Sequence, residues 1–186
     1  MQTWITSDLH LSHANILKYC PESRKFKDKD HMNECIIEIW NATVAPEDTV
    51  YLLGDVAFCG PDKALQYLRR LNGTIHLITG NHDRKALKSK PFRNFFASVQ
   101  DYLELTVEGT KVVLFHYPIH SWNGMYRGSI CLHGHCHGNK TGIHGRIKDV
   151  GMDTNNCNLY NLDRLVKKML EVDLKRDHHE DNYARQ

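Results

Sequence analysis

Thr74-Ile75-His76-Leu77-Ile78-Thr79-Gly80-Asn81-His82-Asp83 is the stretch that decides the fold. Its first six residues are mostly β-branched or apolar and read as a buried strand, which Gly80 closes. Directly beyond stand an amide, an imidazole and a carboxylate. The same pattern recurs toward the N-terminus. Thr49 to Leu53 is a buried-strand run ending at Gly54-Asp55, and Thr3 to Ser7 is a first strand leading into Asp8-Leu9-His10. Helical spacing fills the intervals. Asn15 to Tyr19 begins a short helix, and Asp30 to Thr43 carries apolar residues at Met32, Cys35, Ile36, Ile39 and Trp40. Pro61 opens another helix, with Ala64, Leu65, Leu68 and Leu71 on one face. Strand and helix alternate, which predicts parallel βαβ units.

Past Phe95 the spacing tightens into strand signals at Tyr102 to Val107, Lys111 to Phe115, Ile130 to Leu132 and Arg146 to Val150. Glu108-Gly109 predicts a hairpin turn between the first two, and the series reads as a meander. A last helix spans roughly Leu162 to Leu170. With no repeat or Gly/Ser linker, residues 1–175 form one domain and 176–186 a polar, solvated tail. A length of 186 residues suffices for one sizeable core. The composition is 41% hydrophobic and 25% charged with net charge +2, so no global charge points to nucleic acid or membrane. No basic and apolar leader fits ahead of Asp8, and no apolar run is long enough for a bilayer. The six cysteines form no C-x-x-C pair, which favours reduced thiols in a cytoplasmic protein over zinc or redox work.

Thirteen histidines are the unusual count, because imidazole is the commonest metal ligand. The metal-competent residues fall in five groups: Asp8 and His10, Asp55, Asn81 and His82, His116, then His135 and His137. Each follows a predicted strand within a residue or two. Ligands of open α/β sheets bind beyond the carboxyl ends of strands, so the groups can meet in space. One strand-end His is usually a cap or a core residue; five groups at five strand ends are hard to explain that way. On extended chain, Asp8 and His10 would point to one side and grip one ion, and His135 and His137 have the same spacing. Carboxylate, imidazole and amide oxygen together suit Mn, Fe, Co, Ni or Zn, with Mn preferred. Two such ions about 3.5–4 Å apart share a bridging hydroxide and clamp an in-line displacement at phosphorus. Asp55 is the candidate carboxylate between them.

Taken in order, Asp8-Leu9-His10, Gly54-Asp55, Gly80-Asn81-His82-Asp83, His116 and Gly134-His135-Cys136-His137 resemble the five motifs of the calcineurin-like metallophosphoesterases. The contexts His13 and Asn15, and His116-Tyr117-Pro118 with Trp122, are similar to small bacterial and phage-borne members. Gly151-Met152-Asp153 resembles the small strand after their last motif. The resemblance implies two facing β-sheets flanked by helices, a four-layer α/β/β/α sandwich. It implies that Asp8, His10 and His137 hold one metal, that Asn81, His116 and His135 hold the other, and that Asp55 bridges. His82 would be the catalytic histidine, protonating the leaving oxygen or stabilising its charge, oriented by Asp83. The short chain leaves no room for a separate capping domain.

Other residues carry two readings. His13 contacts substrate or caps the next segment. Arg127 holds a phosphate oxygen, with Trp122 and Tyr126 stacking on a base, or all three pack a loop. The run Arg84, Lys85, Lys88, Lys90 and Arg93 reads as a solvated face before it reads as a phosphate-binding rim. His76 reads as structural. The substrate expectation is a phosphate ester, a small or exposed diester such as a nucleotide, a cyclic phosphate or a nucleic-acid end. A phosphomonoesterase or protein phosphatase on the same core is the alternative. Against it, related phosphatases carry Glu where Asp83 stands and an arginine after the second motif, where this chain has Val56-Ala57-Phe58-Cys59. An inactive binding module of the same fold would have lost ligands that are all present here. Oligomeric state has no signal in the sequence.

Overall fold

The computed structural model describes residues 1–172. In chain order its elements are β1 (Thr3–Thr6), α1 (Ile16–Tyr19), α2 (Lys29–Thr43), β2 (Thr49–Leu52), α3 (Pro61–Leu68), β3 (Thr74–Ile78), α4 (Lys90–Arg93), β4 (Ser98–Gln100), β5 (Tyr102–Val107), β6 (Thr110–Phe115), β7 (Ile130–His133), β8 (Ile147–Asp149), β9 (Tyr160–Asn161) and α5 (Leu162–Leu170). The tail expected at 176–186 lies outside the described residues.

The three runs read first as buried strands form the middle of one sheet, ordered β4-β3-β2-β1-β9. β1 to β4 are parallel, in register Thr3↔Thr49 and Thr49↔Thr74, and β9 joins antiparallel through Ile5↔Tyr160. Amphipathic helices cover one face. Asp28 caps α2 by accepting from the amides of Asp30 and His31 at 3.0 and 2.8 Å. Met32, Ile36, Ile37 and Trp40 of that helix are buried in one cluster with Val50, Leu52, Leu65, Leu68 and Leu77. Trp40 is fully buried and donates its indole N–H to Asn72 O at 2.9 Å. Its loss would cost about 3–5 kcal/mol in transfer and cavity energy.

The second sheet has the order β5-β6-β7-β8. The β5–β6 hairpin closes through Val107↔Thr110, with Glu108 and Gly109 at φ 49° and 76°, the left-handed pair a tight hairpin turn requires. The expected meander stops there, because β6, β7 and β8 run parallel. The connections 116–129 and 134–146 are long enough to carry the chain back along the sheet, and a meander needs only tight turns. Ile5, Leu53 and Ile78 of the first sheet meet Val112, Leu114, Ile130 and Leu132 of the second in a shared core, with Leu162, Leu165, Val166 and Met169 of α5. On the other face of the second sheet, Trp122 is buried against Val113 and Cys131 and donates to Ser129 O at 3.3 Å. Trp122 is therefore a packing residue, not a base-stacking one. The strand expected at Gly151-Met152-Asp153 is a single bridge, Ser7↔Gly151, followed by a 3₁₀ turn at Met152–Thr154. The two sheets face each other with helices outside.

Candidate metal centre

Segments leaving the carboxyl ends of β1, β2, β3, β6 and β7 converge at one end of the two sheets. Their backbones bind one another. Asp8 N donates to Gly54 O and His10 N to Asp55 O, both at 3.0 Å, and His135 N donates to Asp8 Oδ2 at 2.9 Å. Crowding explains two glycines. A Cβ on Gly80 would strike the Asp55 carboxylate and amide, and one on Gly134 would strike Ser7 Oγ and Asp8 Oδ2.

Asp8, His10, Asp55, His135 and His137 all have φ between 50° and 70°. They are five of the nine non-glycine residues in the left-handed region among the described residues. Each costs roughly 1–2 kcal/mol in that conformation, and such strain concentrates at functional sites. This corrects the extended-chain reading of Asp8-Leu9-His10 and His135-Cys136-His137. Left-handed turns, and not strand alternation, aim these side chains.

The ligating atoms fall into two groups. Asp8, His10 and His137 form one, and Asp55, His116 and His135 the other; within each, one atom per residue lies within 4.8 Å of the rest. Asn81 joins the second, its Oδ1 being 3.0 Å from His116 Nε2. Asp55 faces both. Its Oδ2 is 3.7 Å from His10 Nε2 and its Oδ1 is 3.6 Å from His116 Nε2.

The donor set fits cations. Asp8 Oδ1 and His10 Nε2 are buried without a hydrogen-bond partner, and a cation is what a carboxylate oxygen and a bare imidazole nitrogen have in common as a partner. His116 Nδ1 lies 2.6 Å from Leu53 O, so it carries the proton there. Nε2 is then a lone pair facing the Asn81 oxygen, another lone pair. Two further rings, those of His137 and His10, are also held by an outer partner. His137 Nδ1 is 2.7 Å from Asp153 Oδ2, and His10 Nδ1 is 3.0 Å from His13 Nδ1. Burial holds His10 below its usual value. Burial lowers His137 too, but the Asp153 carboxylate outweighs it and raises the net value. His13 is held down at about 4, first by burial and then by the imidazoles around it.

Arg24, 1% exposed, ties this outer layer together. Its guanidinium donates to Asp153 at 2.8 and 2.9 Å, to Asp8 O at 2.6 Å and to Leu9 O at 3.0 Å. Ser23 Oγ completes the Asp153 cradle at 2.5 Å. These bonds hold Asp153 well below the usual carboxylate range in spite of its burial. A single sequence gives no signal for Arg24, which sits in an irregular loop.

His82 stands at the rim with its side chain 45% exposed, Nε2 3.9 Å from Asp55 Oδ2 and its amide on Asp55 Oδ1 at 3.0 Å. Phe58 packs on it with ring centroids 4.3 Å apart, and on His13 at 3.7 Å and 6°. Asp83 departs from its expected role. Both its oxygens are filled by backbone amides, of Asp55 (2.9 Å), Gly80 (2.8 Å) and Val56 (3.0 Å), so it braces the two loops and leaves the His82 ring alone. His13 lies against His10, its Nδ1 3.0 Å from His10 Nδ1 and the two rings stacked, as an outer partner of a candidate ligand. Arg127 is also displaced from its expectation. It precedes β7 and shares a cavity with Gly109 and Thr110, at the opposite end of the sheet from His116 and His135. His76 is structural as expected, bonded to Ser98 Oγ at 2.8 Å.

The family description "calcineurin-like phosphoesterase superfamily domain" matches residues 1–151. The chain belongs to this superfamily. Its relatives include the uncharacterized protein MJ1445 of Methanocaldococcus jannaschii, 39% identical over 73% of this chain and 69% of that protein. The Gene 66 protein of Mycobacterium phage D29 is 33% identical over 72% of this chain and 77% of its own length. A protein of unknown function from Aquifex aeolicus, AQ665, has the same fold, with a TM-score of 0.70 and 26% identity over 90% of this chain and 98% of that one. Calcineurin-like phosphoesterases act on phosphate esters with divalent metals, and this chain carries two clusters of candidate metal ligands at one end of its sheets. No helix among the described residues is long and apolar enough to cross a membrane.

Proposed function

We propose that the chain is a dinuclear-metal phosphodiesterase acting on a small or exposed diester. The observation that carries this reading is the Asp55 carboxylate, one oxygen toward each ligand group, with the half-exposed His82 beside it. Asp8, His10 and His137 would hold one ion and Asn81, His116 and His135 the other. Manganese is the favoured ion and hard magnesium the poor one, because the donors are nitrogen-rich. When bound, the ions supply Lewis-acid activation of the attacking water and of the phosphoryl oxygens. The protein residues do the rest. His82 Nε2 is the ring atom facing the site, so the proton for the leaving oxygen is carried there. Phe58 limits the tilt of that ring. Asp83 and Arg24 fix the loops that present Asp55 and Asp8. Six cysteines without a disulfide fit a reducing, cytoplasmic setting.

Diester preference follows from the cations at hand. A monoester dianion needs a fixed donor beyond the metals, and arginine is its best geometric match. Val56-Ala57-Phe58-Cys59 supplies none, and Arg24 already spends its donors on Asp153, Asp8 O and Leu9 O. The deciding comparison is kcat/KM for bis-nitrophenyl phosphate against mononitrophenyl phosphate under one metal and one pH. An advantage for the diester is expected. A clear advantage for the monoester would put the phosphatase reading first.

A further inference from the structure

A cavity of about 340 Å³ opens beside His82, between the loop that follows β2 and the turn that follows β3. Its wall is Phe58, Cys59, Pro61 and Ala86, and the polar side chains on it are His82 and Lys85. No carboxylate lines it, and Lys85 makes no ion pair among the described residues. A volume near 340 Å³ lies at the low end of small-molecule sites, which suits one compact organic unit and not a duplex.

We propose that this cavity seats the leaving group of the diester and that the leaving group is a nucleotide unit bearing a further phosphate, which Lys85 meets. The inference rests on the phosphodiesterase reading and adds the substrate class. Position assigns the side of the phosphorus. The group that receives the His82 proton must lie next to His82, and the cavity is what adjoins it. Chemistry assigns the occupant. An aromatic and apolar wall accepts a base or sugar face, since stacking tolerates any base. One unpaired ammonium beside that wall accepts a phosphate. Lys85 follows His82 by three residues through the turns beyond Gly80 and lines the same cavity, and its long side chain lets the ammonium reach past His82. That reach is comparable to the step between neighbouring phosphates on a single strand. Of the basic run expected as a solvated face, Lys85 is the member that lines the cavity beside His82. In the reaction, a water oxygen bonds to phosphorus and the P–O bond to the leaving nucleoside breaks with its electron pair on oxygen. The His82 proton neutralises that oxygen, and the proton lost by water passes to solvent, from which His82 is reprotonated.

The test compares three diesters on the metal-loaded enzyme: bis-nitrophenyl phosphate, a thymidine dinucleoside monophosphate with no second phosphate, and a short single-stranded oligothymidylate. The oligonucleotide should exceed the dinucleoside monophosphate in kcat/KM by about ten-fold, one charge-assisted phosphate contact. Lys85→Ala should bring that ratio close to one, mainly through KM, and make the salt dependence of KM shallower by about one in log–log slope. Lys85→Arg should restore the ratio, and Lys88→Ala, an exposed lysine outside the cavity, should not alter it. A wild-type ratio near one, or a ratio indifferent to Lys85→Ala, overturns the inference while activity on bis-nitrophenyl phosphate leaves the phosphodiesterase reading standing. No turnover of any of the three diesters would overturn that reading itself.

Discussion

The His82 ring nitrogen Nε2 and Asp55 Oδ2 are 3.9 Å apart, yet substitutions of the two residues should separate cleanly. Asp55→Asn removes the carboxylate facing both ligand groups and should lose bound metal by elemental analysis together with activity. His82→Ala should keep both metals and lower kcat by roughly 10²–10⁴ on esters with poor leaving groups, the size of a lost general acid. Nitrophenolate needs less protonation, so the defect there should be smaller. Equal defects on both ester types, or metals lost from the His82 variant, would contradict the assignment. His13 makes a different argument. To offer Nε2 to a metal, His10 must carry its proton at Nδ1, and His13 Nδ1 is the acceptor 3.0 Å away. Because His13 titrates near 4, it remains a neutral acceptor throughout the neutral range. His13→Ala should therefore weaken metal binding about 10–100-fold, the usual effect of removing a ligand's outer hydrogen bond. His13→Asn, which restores an acceptor, should recover part of it. Metal titration followed by calorimetry decides; an unchanged affinity in His13→Ala would return His13 to the list of substrate contacts.

At the level of elements, the convergence of the candidate ligands was legible because each stands just past an apolar run that reads as a buried strand. The long strands and helices were legible for the same reason, and Tyr102–Val107 and Leu162–Leu170 fall on their expected bounds. What sequence could not show is pairing. β4 and β9 have only three and two residues, too short for any periodicity, and they exist because a neighbouring strand offers its edge. The parallel run β6-β7-β8 escaped because its connections carry no helical pattern. Arg24 escaped because its partners, Asp153 and the carbonyls of Asp8 and Leu9, lie far from its loop in sequence, and the bracing role of Asp83 escaped because it acts on backbone amides, which leave no trace in side-chain spacing. The β5–β6 hairpin carries a testable feature of its own. Glu104 accepts from Lys111 Nζ at 2.7 Å, Tyr102 Oη at 2.7 Å and Asn123 Nδ2 at 3.0 Å, and its pKa is lowered to about 2, first by Lys111. A folded pKa below the unfolded value means that the stabilisation is complete above about 4.5 and is lost as pH falls toward about 2. The Tm gap between wild type and Glu104→Gln should be open at pH 6 and narrow steadily between pH 4.5 and 2. A gap independent of pH would show that the cluster acts through packing alone.

Taken whole, the molecule concentrates its unfavourable groups at one end. Asp8, His10, Asp55 and His116 are at most 3% exposed, five backbones there are left-handed, and two polar atoms have no partner. Most of the other described residues follow ordinary packing, two sheets sharing a core under amphipathic helices. Uncompensated buried carboxylate and imidazole at one site should make the metal-free protein less stable than its fold would allow. Ions that bind the folded chain and not the unfolded one then stabilise it by mass action, about 2.7 kcal/mol at a hundred times the dissociation constant. For a chain of this size 1 kcal/mol moves Tm by roughly 2–4 °C, so saturating manganese should raise Tm by about 5–10 °C over the chelated protein. Acidification should erode the gain, because Asp153, which holds the Nδ1 proton of His137, also favours its imidazolium form, whose second proton, on Nε2, competes with the ion. Variants locate the effect. Asp55→Asn should lose most of the shift, and His82→Ala, which removes a rim residue outside both ligand groups, should keep it. Differential scanning calorimetry with chelator, manganese and magnesium in parallel makes the measurement, and magnesium should give the smallest rise. A Tm indifferent to manganese in the wild type would mean that the two ligand groups do not hold metal in the folded protein, and the phosphodiesterase reading would fall with them.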